Sequence, residues 1–366
     1  KKNGLRLRKK WSFRATQQEL THLFAIPLAQ TKRLVKNNPG YGDIICRCEM
    51  VSAQEVREAI KRGATTLDGI KFRTRAQAGR CHGSFCTTRL MKVLSEEKNI
   101  LLTNISKKGT GSEIVKHDRS DTNTCCRSSW THPDHKPTDE KPTQRDLVIV
   151  GGGPAGMAAA LAAYENGIKD ILLLERDQYL GGIPNQCIHT GFGLAYFKEV
   201  LTGPEYARRF TDKISSAQNI DVSLRSFVVR LTADKMLTYL EPGALRTGKA
   251  KAIIMATGCR EKTREMVHIP GTRPAGIFSA GLAQKLINAE GLLPGKNVVI
   301  VGSGDIGLIM ARRFLLEGAN VKAVIEIQDK SRGLVRNVVQ CLDDFGIPMY
   351  LRHKIKKIYG KSRVEK

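Results

Sequence analysis

From Asp146 onward, short apolar runs alternate with longer amphipathic or alanine-rich stretches. Leu147-Val148-Ile149-Val150, Asp170 to Leu174, Ala252-Ile253-Ile254-Met255, Val298-Val299-Ile300-Val301 and Val321 to Ile325 are each bounded by glycine or charged residues. Continuous apolar runs of this length predict strands buried on both faces. Their alternation with helical segments predicts βαβ units and a parallel sheet. Upstream the period changes. Residues 41–95 predict three short helices: one opened by the capping box Ser52-Ala53-Gln54-Glu55, with Val56, Ala59 and Ile60 on one face; Leu67 to Arg73; and one from near Phe85 through Leu90, Met91 and Leu94. Residues 1–40 are basic and poorly periodic. Residues 105–145 are polar, carry Pro133, Pro137 and Pro142, and predict a flexible, extended linker.

Two of the predicted strands run straight into a glycine fingerprint. The first is Gly151-Gly152-Gly153-Pro154-Ala155-Gly156 and the second Gly302-Ser303-Gly304-Asp305-Ile306-Gly307. In a strand–turn–helix setting one glycine turns the chain, one admits a pyrophosphate to the backbone, and one lets helix pack on strand. The strand after each fingerprint ends on an acid, Glu175 and Glu326, 24 positions beyond the first glycine in both copies. An acid there accepts hydrogen bonds from a ribose diol. Two copies about one domain apart predict two dinucleotides, an arrangement suited to moving electrons.

Composition narrows this picture. At 366 residues and 41% hydrophobic content the chain has room for two or three cores. The net charge of +25 raises the question of nucleic acid. However, residues 1–145 hold 29 basic and 14 acidic side chains and residues 146–366 hold 31 and 21, so the surplus is spread over both halves. Only Lys1 to Arg14 forms a patch, and aromatics are sparse at 6%, which leaves few platforms for stacking bases. A solvated basic surface is the expectation, with no nucleic-acid partner. No run predicts a transmembrane segment, and no targeting peptide is recognisable. The chain begins at Lys1, which reads as a fragment.

Nine cysteines are an odd number, and only four are patterned, which predicts a reducing, cytoplasmic setting. Cys46-Arg47-Cys48 and Cys81-His82-Gly83-Ser84-Phe85-Cys86 form C-x-C, a 32-residue gap and C-x4-C. Four thiolates hold either zinc or an iron–sulfur cluster. A one-residue spacing fits a zinc knuckle poorly and suits a bulkier two-metal core. Arg47, Arg73, Arg75 and Arg80 are close in sequence to offset its negative charge, and amides at the helix start near Phe85 and Cys86 are expected to donate to its sulfurs. Cys125-Cys126 is a conceivable redox pair, although adjacent cysteines in a linker more often have no role.

These cysteine motifs, with Arg73-Thr74-Arg75 and Gly79-Arg80, resemble the bacterioferritin-associated-ferredoxin-like (BFD-like) [2Fe–2S] domain of anaerobic glycerol-3-phosphate dehydrogenase-like flavoproteins. Residues 146–366 resemble the NAD(P)/FAD-dependent pyridine-nucleotide-disulfide oxidoreductases, through both fingerprints, Gly181-Gly182-Ile183-Pro184-Asn185-Gln186-Cys187-Ile188-His189 and Ala256-Thr257-Gly258-Cys259-Arg260-Glu261. The resemblance implies an α/β flavoprotein with two Rossmann-like dinucleotide domains, the second truncated, behind a small helical [2Fe–2S] domain. The implied units are a basic segment at 1–40, the [2Fe–2S] domain at 41–104, a linker at 105–145, an FAD domain at 146–294 and an incomplete NAD(P) domain at 295–366. It implies cluster ligands Cys46, Cys48, Cys81 and Cys86. It places FAD at Gly151, Gly153, Ala155, Gly156, Glu175, Gly182, Ala256, Thr257 and Gly258, and NAD(P) at Gly302, Gly304, Asp305, Ile306, Gly307 and Glu326. Glu326 favours NAD, while Lys330 and Arg332 keep NADP open.

The disulfide-reducing members use a cysteine pair beside the flavin or in the second domain, and neither is present here. Cys187 and His189 are the candidate catalytic groups near the flavin, set against the plainer reading that they are packing residues. The implied activity is electron transfer between NAD(H), flavin and a [2Fe–2S] centre, linked to oxidation of glycerol 3-phosphate or a similar small substrate. An oligomer or multi-subunit complex is expected, with a partner dehydrogenase subunit. Membership of an opine or amino-acid dehydrogenase, as one of its subunits, and a non-catalytic electron-transfer module are the alternatives. The junction of the two halves reads equally as a natural fusion or as two neighbouring reading frames joined.

Overall fold

The structure, a computed structural model, describes residues 20–118 and 143–366; Lys1 to Arg14 and Cys125-Cys126 lie outside them. The first part runs α1 (Leu28–Asn37), β1 (Ile44–Cys46), β2 (Val51–Ser52), α2 (Ala53–Lys61), α3 (Leu67–Thr74), α4 (Thr87–Lys98) and β3 (His117–Asp118). α2 starts where its capping box predicts: Ser52 Oγ accepts from the Glu55 amide at 3.3 Å, and Glu55 accepts from the Ser52 amide at 2.8 Å. Thr66 caps α3 through the Gly69 amide. Val56, Ile60, Ile70, Leu90 and Leu94 close the core between these helices.

One expectation changes here. The stretch from residue 105 does not begin as an extended linker, because Ile105, Ile114 and Val115 are buried in that same core. A bridge between Ser106 and Glu113, turned at Gly109 and Gly111 (φ +112° and +82°), folds the segment back so that its few apolar residues face inward. Among the described residues before 40, α1 buries Val35 against Leu240 and Leu245 of the later sheet.

The second part continues with β4 (Thr143–Val150), α5 (Pro154–Glu165), β5 (Ile171–Leu174), β6 (Thr190–Phe192), β7 (Leu201–Thr202), α6 (Gly203–Ser216), β8 (Ile220–Ser223), β9 (Phe227–Leu231), β10 (Met236–Glu241) and β11 (Ala244–Met255). A six-stranded sheet orders them β8-β5-β4-β11-β10-β9. β8, β5, β4 and β11 are parallel, whereas β10 and β9 add antiparallel edges. β11 leaves a hairpin at Gly243 and then turns to pair with β4 from Gly248 onward. Arg145 on β4 reaches Asp170 (2.6 Å) and Asp221 (2.5 Å), tying three neighbouring chain segments at the amino ends of these strands.

The remainder comprises α7 (Ala280–Asn288), β12 (Leu292–Leu293), β13 (Asn297–Val301), α8 (Asp305–Leu316), β14 (Asn320–Ile325), α9 (Val335–Cys341) and β15 (Met349–Tyr350). β13, β14 and β15 form a parallel sheet, and Val324 of β14 shares a core with Leu308 and Phe314 of α8. α7 joins the parts. Its Leu282 and Leu286 enter the core of the cysteine-bearing unit, and Ala283 and Ile287 enter that of the last sheet. β12 pairs antiparallel with β3. Among the described residues no helix is long and apolar enough to cross a membrane.

Asp43 supplies a second tie between the parts. It accepts from Arg89 Nη2 at 2.5 Å and lies 3.5 Å from Arg225 Nη2. Burial pushes its carboxyl up, but Arg89 and then Arg225 outweigh this and hold it below the usual carboxylate range. A carboxylate depressed in the folded state stabilises above its ordinary titration range and stops doing so as pH falls through its folded value. Asp43→Asn is therefore expected to cost about 2 kcal/mol near neutral pH, since it removes the buried charge that Arg89 and Arg225 share. Denaturant melts of both proteins should show the gap closing as the solution is acidified through the folded titration of Asp43.

Candidate functional site

The first fingerprint is built on contact between backbones. Gly151 has φ +112°, and a Cβ there would stand 2.3 Å from the Ala256 carbonyl oxygen. A Cβ on Gly156 would stand 1.8 Å from the Gly151 oxygen. Gly153 differs: nothing lies within 4 Å of its Cβ position, and its φ of −77° is open to any residue. The loop is thus packed backbone to backbone at Gly151 and Gly156 and leaves one open face at the start of α5, where backbone N–H groups point outward. Gly182 (φ +60°) is brought against this face, its Cβ position 3.1 Å from the Gly153 Cα, and the Gly181 amide donates to the Gly152 carbonyl at 2.8 Å. Ala155, Thr257 and Gly258 are exposed beside it.

Glu175, at the end of β5, is buried and accepts from the Gly152 amide (2.6 Å) and the Asp177 amide (2.8 Å). Burial pushes its carboxyl up against those hydrogen bonds. Glu326 occupies the equivalent place after β14 but shifts the other way. Burial again opposes ionisation, yet the Ser303 hydroxyl (2.6 Å) and the amides of Gln328 and Ser303 (2.9 Å each) hold it below its ordinary value. Two things differ: Asp177 adds a like charge beside Glu175, and Glu326 gains a hydroxyl as donor. Position 152 has no room for a side chain, since a Cβ would meet Leu180 at 2.4 Å, whereas position 303 carries a hydroxyl.

In the second fingerprint Gly302 (φ +100°) and Gly304 face open space, and a Cβ on Gly307 would crowd the Gly302 oxygen at 2.5 Å. Ile306 is exposed on the first turn of α8. Asp305 is committed to the fold, because one of its oxygens accepts from the Leu334 amide and the Asn337 side chain.

Cys187 and His189 lie away from a reactive arrangement. Cys187 is buried with its thiol 3.7 Å from Gln284 Oε1, and burial pushes that thiol up despite the Gln284 contact. A neutral buried thiol is a poor nucleophile. His189 Nδ1 meets the Thr190 carbonyl at 3.0 Å, so in the neutral ring Nε2 is the acceptor, and it is buried without a partner. Gln284 was not visible as a site residue. It sits among Leu282, Ala283, Leu286 and Ile287, accepts from Gln186 at 3.0 Å, and leaves its own Nε2 unpartnered. A lone glutamine on an apolar helix face is the signal that marks it.

The four patterned cysteines converge as two pairs. Cys48 and Cys81 stand 3.5 Å apart, and Cys46 is hydrogen-bonded to Cys86. Two thiol pairs are the arrangement in which two metals would each be held by two thiolates. The hydrogen bond from Cys86 brings Cys46 down to about 6; burial opposes this, and amides of Gln77, Glu49 and Cys48 reinforce it. Those donors come from the loops that follow β1 and α3. Arg47 stacks 3.6 Å from the Phe85 ring centre and keeps a buried, unpartnered Nε. A basic, amide-lined pocket of paired thiols fits an anionic cluster.

Comparison with known proteins agrees with this geometry. Residues 145–366 match the family model of pyridine nucleotide-disulphide oxidoreductases and residues 44–96 that of the BFD-like [2Fe-2S] binding domain. The chain belongs to the pyridine nucleotide-disulphide oxidoreductase family, which uses FAD and NAD(P), and carries a [2Fe–2S]-binding domain. It is 31% identical to hydrogen cyanide synthase subunit HcnB of Pseudomonas protegens, over 60% of this chain and 47% of that protein. It is 36% identical to glycerol 3-phosphate dehydrogenase of Caloramator mitchellensis, over 30% and 23%. An opine oxidase subunit of Agrobacterium tumefaciens is 27% identical, over 59% and 45%. The chain thus spans about half or less of the length of these relatives.

The two kinds of glycine make a sharp expectation. Gly153→Ala, with free space and an ordinary φ, should leave circular dichroism and melting unchanged while the flavin-to-protein absorbance ratio drops several-fold. Gly156→Ala should lower the melting temperature itself, because its Cβ meets backbone.

Proposed function

We propose that this chain is an FAD- and NAD-dependent oxidoreductase whose electrons pass through a [2Fe–2S] centre. The observation that carries the reading is the coexistence of two open glycine cradles with two convergent thiol pairs. Bound together, FAD takes an electron pair as hydride and a [2Fe–2S] centre moves electrons singly, which is the chemistry the groups supply.

The chain's own residues divide the work. Gly151, Gly153 and Gly156 would hold the FAD pyrophosphate at the start of α5, Glu175 would accept from its ribose, and Gly182, Ala256, Thr257 and Gly258 would line the same site. Gly302, Gly304 and Gly307 offer the same cradle to the nicotinamide cofactor. Glu326, ionised and rigidly held, repels a 2′-phosphate and selects NAD. Cys46, Cys48, Cys81 and Cys86 hold the cluster. His189, whose Nε2 is buried without a hydrogen-bond partner, is the candidate proton acceptor, and Cys187 is a packing thiol. Among the described residues Cys187, Cys259 and Cys341 are free cysteines outside the cluster group, and none is paired with another, which supports transfer other than dithiol reduction.

The partner reading follows from similarity to two proteins named as subunits. The chain relays electrons for a dehydrogenase subunit in a multi-subunit, cytoplasmic assembly, with glycerol 3-phosphate or another small hydroxy or amino compound as the oxidised substrate. The opine oxidase likeness favours an amine substrate as the second choice.

Protein purified without oxygen should show flavin bands, two irons and two sulfides per chain, and bleaching of the flavin band by NADH more readily than by NADPH. A flavin that NADH leaves oxidised would sink the proposal, and zinc in place of iron would remove its one-electron arm.

A further inference from the structure

We propose that the end of α3 and the segment leaving it are the docking surface for an acidic one-electron carrier protein. Phe72 is its apolar contact, and Lys71, Arg73, Arg75 and Arg80 supply its charge. This rests on the cofactor reading above and extends it to where electrons cross to another protein.

Burial gives the four-thiol group an inner and an outer side. Cys46, Cys81 and Cys86 are buried, whereas Cys48 is only half-buried. On the inner side the loop Cys81 to Cys86 meets the rest of the chain. Phe85 lies between the Arg47 guanidinium, 3.6 Å from its ring centre, and that of Arg176, 5.5 Å away and next in sequence to Glu175. Ser84 Oγ is 3.0 Å from Ser279 Oγ, just before α7. On the outer side Cys48 is covered by the segment that leaves α3. A Cβ on Gly79 would stand 2.3 Å from the Cys48 Cβ, and Arg75 Nε donates to Glu49 Oε2 at 2.7 Å. Arg80 follows Gly79, and Phe72 precedes Arg75 by about one helical turn.

Phe72 is 84% exposed, more than any other large apolar side chain among the described residues. It is not needed to anchor α3, whose Leu67, Ile70 and Thr74 are buried on the other face. Arg73, Arg75 and Arg80 are exposed and Lys71 is half-buried. The nearby acids are already engaged: Glu49 by Arg75, and Asp68 by Lys107 at 3.7 Å. The charge left over is positive and selects an acidic partner, while an aromatic set among arginines is the composition of an interface centre. One aromatic is a poor platform for a nucleic-acid strand, which stacks base after base. A partner seated here lies on the side of Cys48, the most exposed of the four thiols. The exchange then needs only one electron: the reduced centre loses it, the carrier's cofactor gains it, and no bond or proton moves.

The test uses the full chain, purified anaerobically, with Phe72→Ala, Arg73→Glu and, as a control for overall charge, Arg208→Glu. Arg208 is 83% exposed and lies on α6, which packs on α5 and the β6–β7 hairpin. Iron, sulfide and FAD content are measured first. Binding is then read by nuclear magnetic resonance of isotope-labelled, zinc-substituted plastocyanin, an acidic probe that takes no electron, at about 20 mM ionic strength. R73E should bind about fivefold and F72A about threefold more weakly than the parent, with R208E within about twofold of it. With copper plastocyanin, bleaching of its blue band by the dithionite-reduced chain should slow by similar factors in F72A and R73E. A parent that does not bind, or an F72A or R73E protein that binds like the parent, overturns the proposal. So does an R208E protein weakened as much as R73E, which would assign the attraction to the charge of the whole chain. Should R73E lose its iron, F72A and R208E decide by the same factors. A parent that sediments with phosphatidylglycerol vesicles through Phe72, while leaving plastocyanin unbound, would assign the face to a membrane and overturn the proposal. Absence of a two-iron paramagnetic resonance signal in the parent would overturn the cofactor reading instead, since zinc plastocyanin reports on the surface alone.

Discussion

The approach of backbone to backbone at the first glycine turn is the constraint on which the flavoprotein part depends. Gly151 lies under the Ala256 carbonyl and Gly156 lies on the Gly151 oxygen, both closer than any side chain permits. That contact packs α5 onto the sheet and seats the end of β11 beside the loop. It also aims the Gly153 face outward. Glu175, Gly181 and Gly182 then bond to or rest on the same loop. Without this contact the acid, the second glycine turn and the Ala256 strand would have no common point of assembly.

The cysteine-bearing unit has its own logic and a shared boundary. Its helices close around Val56, Ile70 and Leu90, but the core is completed by Leu282, Leu286 and Leu292, nearly 200 residues further along. α7 is apolar on more than one side because it serves two cores at once. Its buried Gln284 and its amino terminus are where the Gly181-Gly182 loop, the cluster loop and the strand after Ala256 meet. A small domain of this size gains stability by borrowing apolar surface in this way.

Much of the site was legible because its signals are local. The capping box at Ser52, the two fingerprints, the acids 24 residues on and the C-x-C and C-x4-C spacings each need only neighbouring residues to be read. Residues 105–116 were misread because Ile105, Ile114 and Val115 are too far apart to show a period, yet a turn at two glycines brings them inward together. The role of Arg176 was hidden as well, since nothing near it in sequence discloses that Phe85 lies above it.

The sequence by itself determined which backbone conformations and which cofactor chemistries are available: glycine where a Cβ would collide, acids at strand ends, and four thiols in two groups. Only the tertiary structure decided how those pieces face one another. It paired Cys46 with Cys86 and Cys48 with Cys81, gave Glu175 and Glu326 opposite shifts, and set Ser84 beside Ser279 across 195 residues. The physical reason is range. Steric limits and strand or helix periods act over a few residues, whereas burial, hydrogen-bond partners and electrostatic surroundings are supplied by whichever distant segments pack nearby.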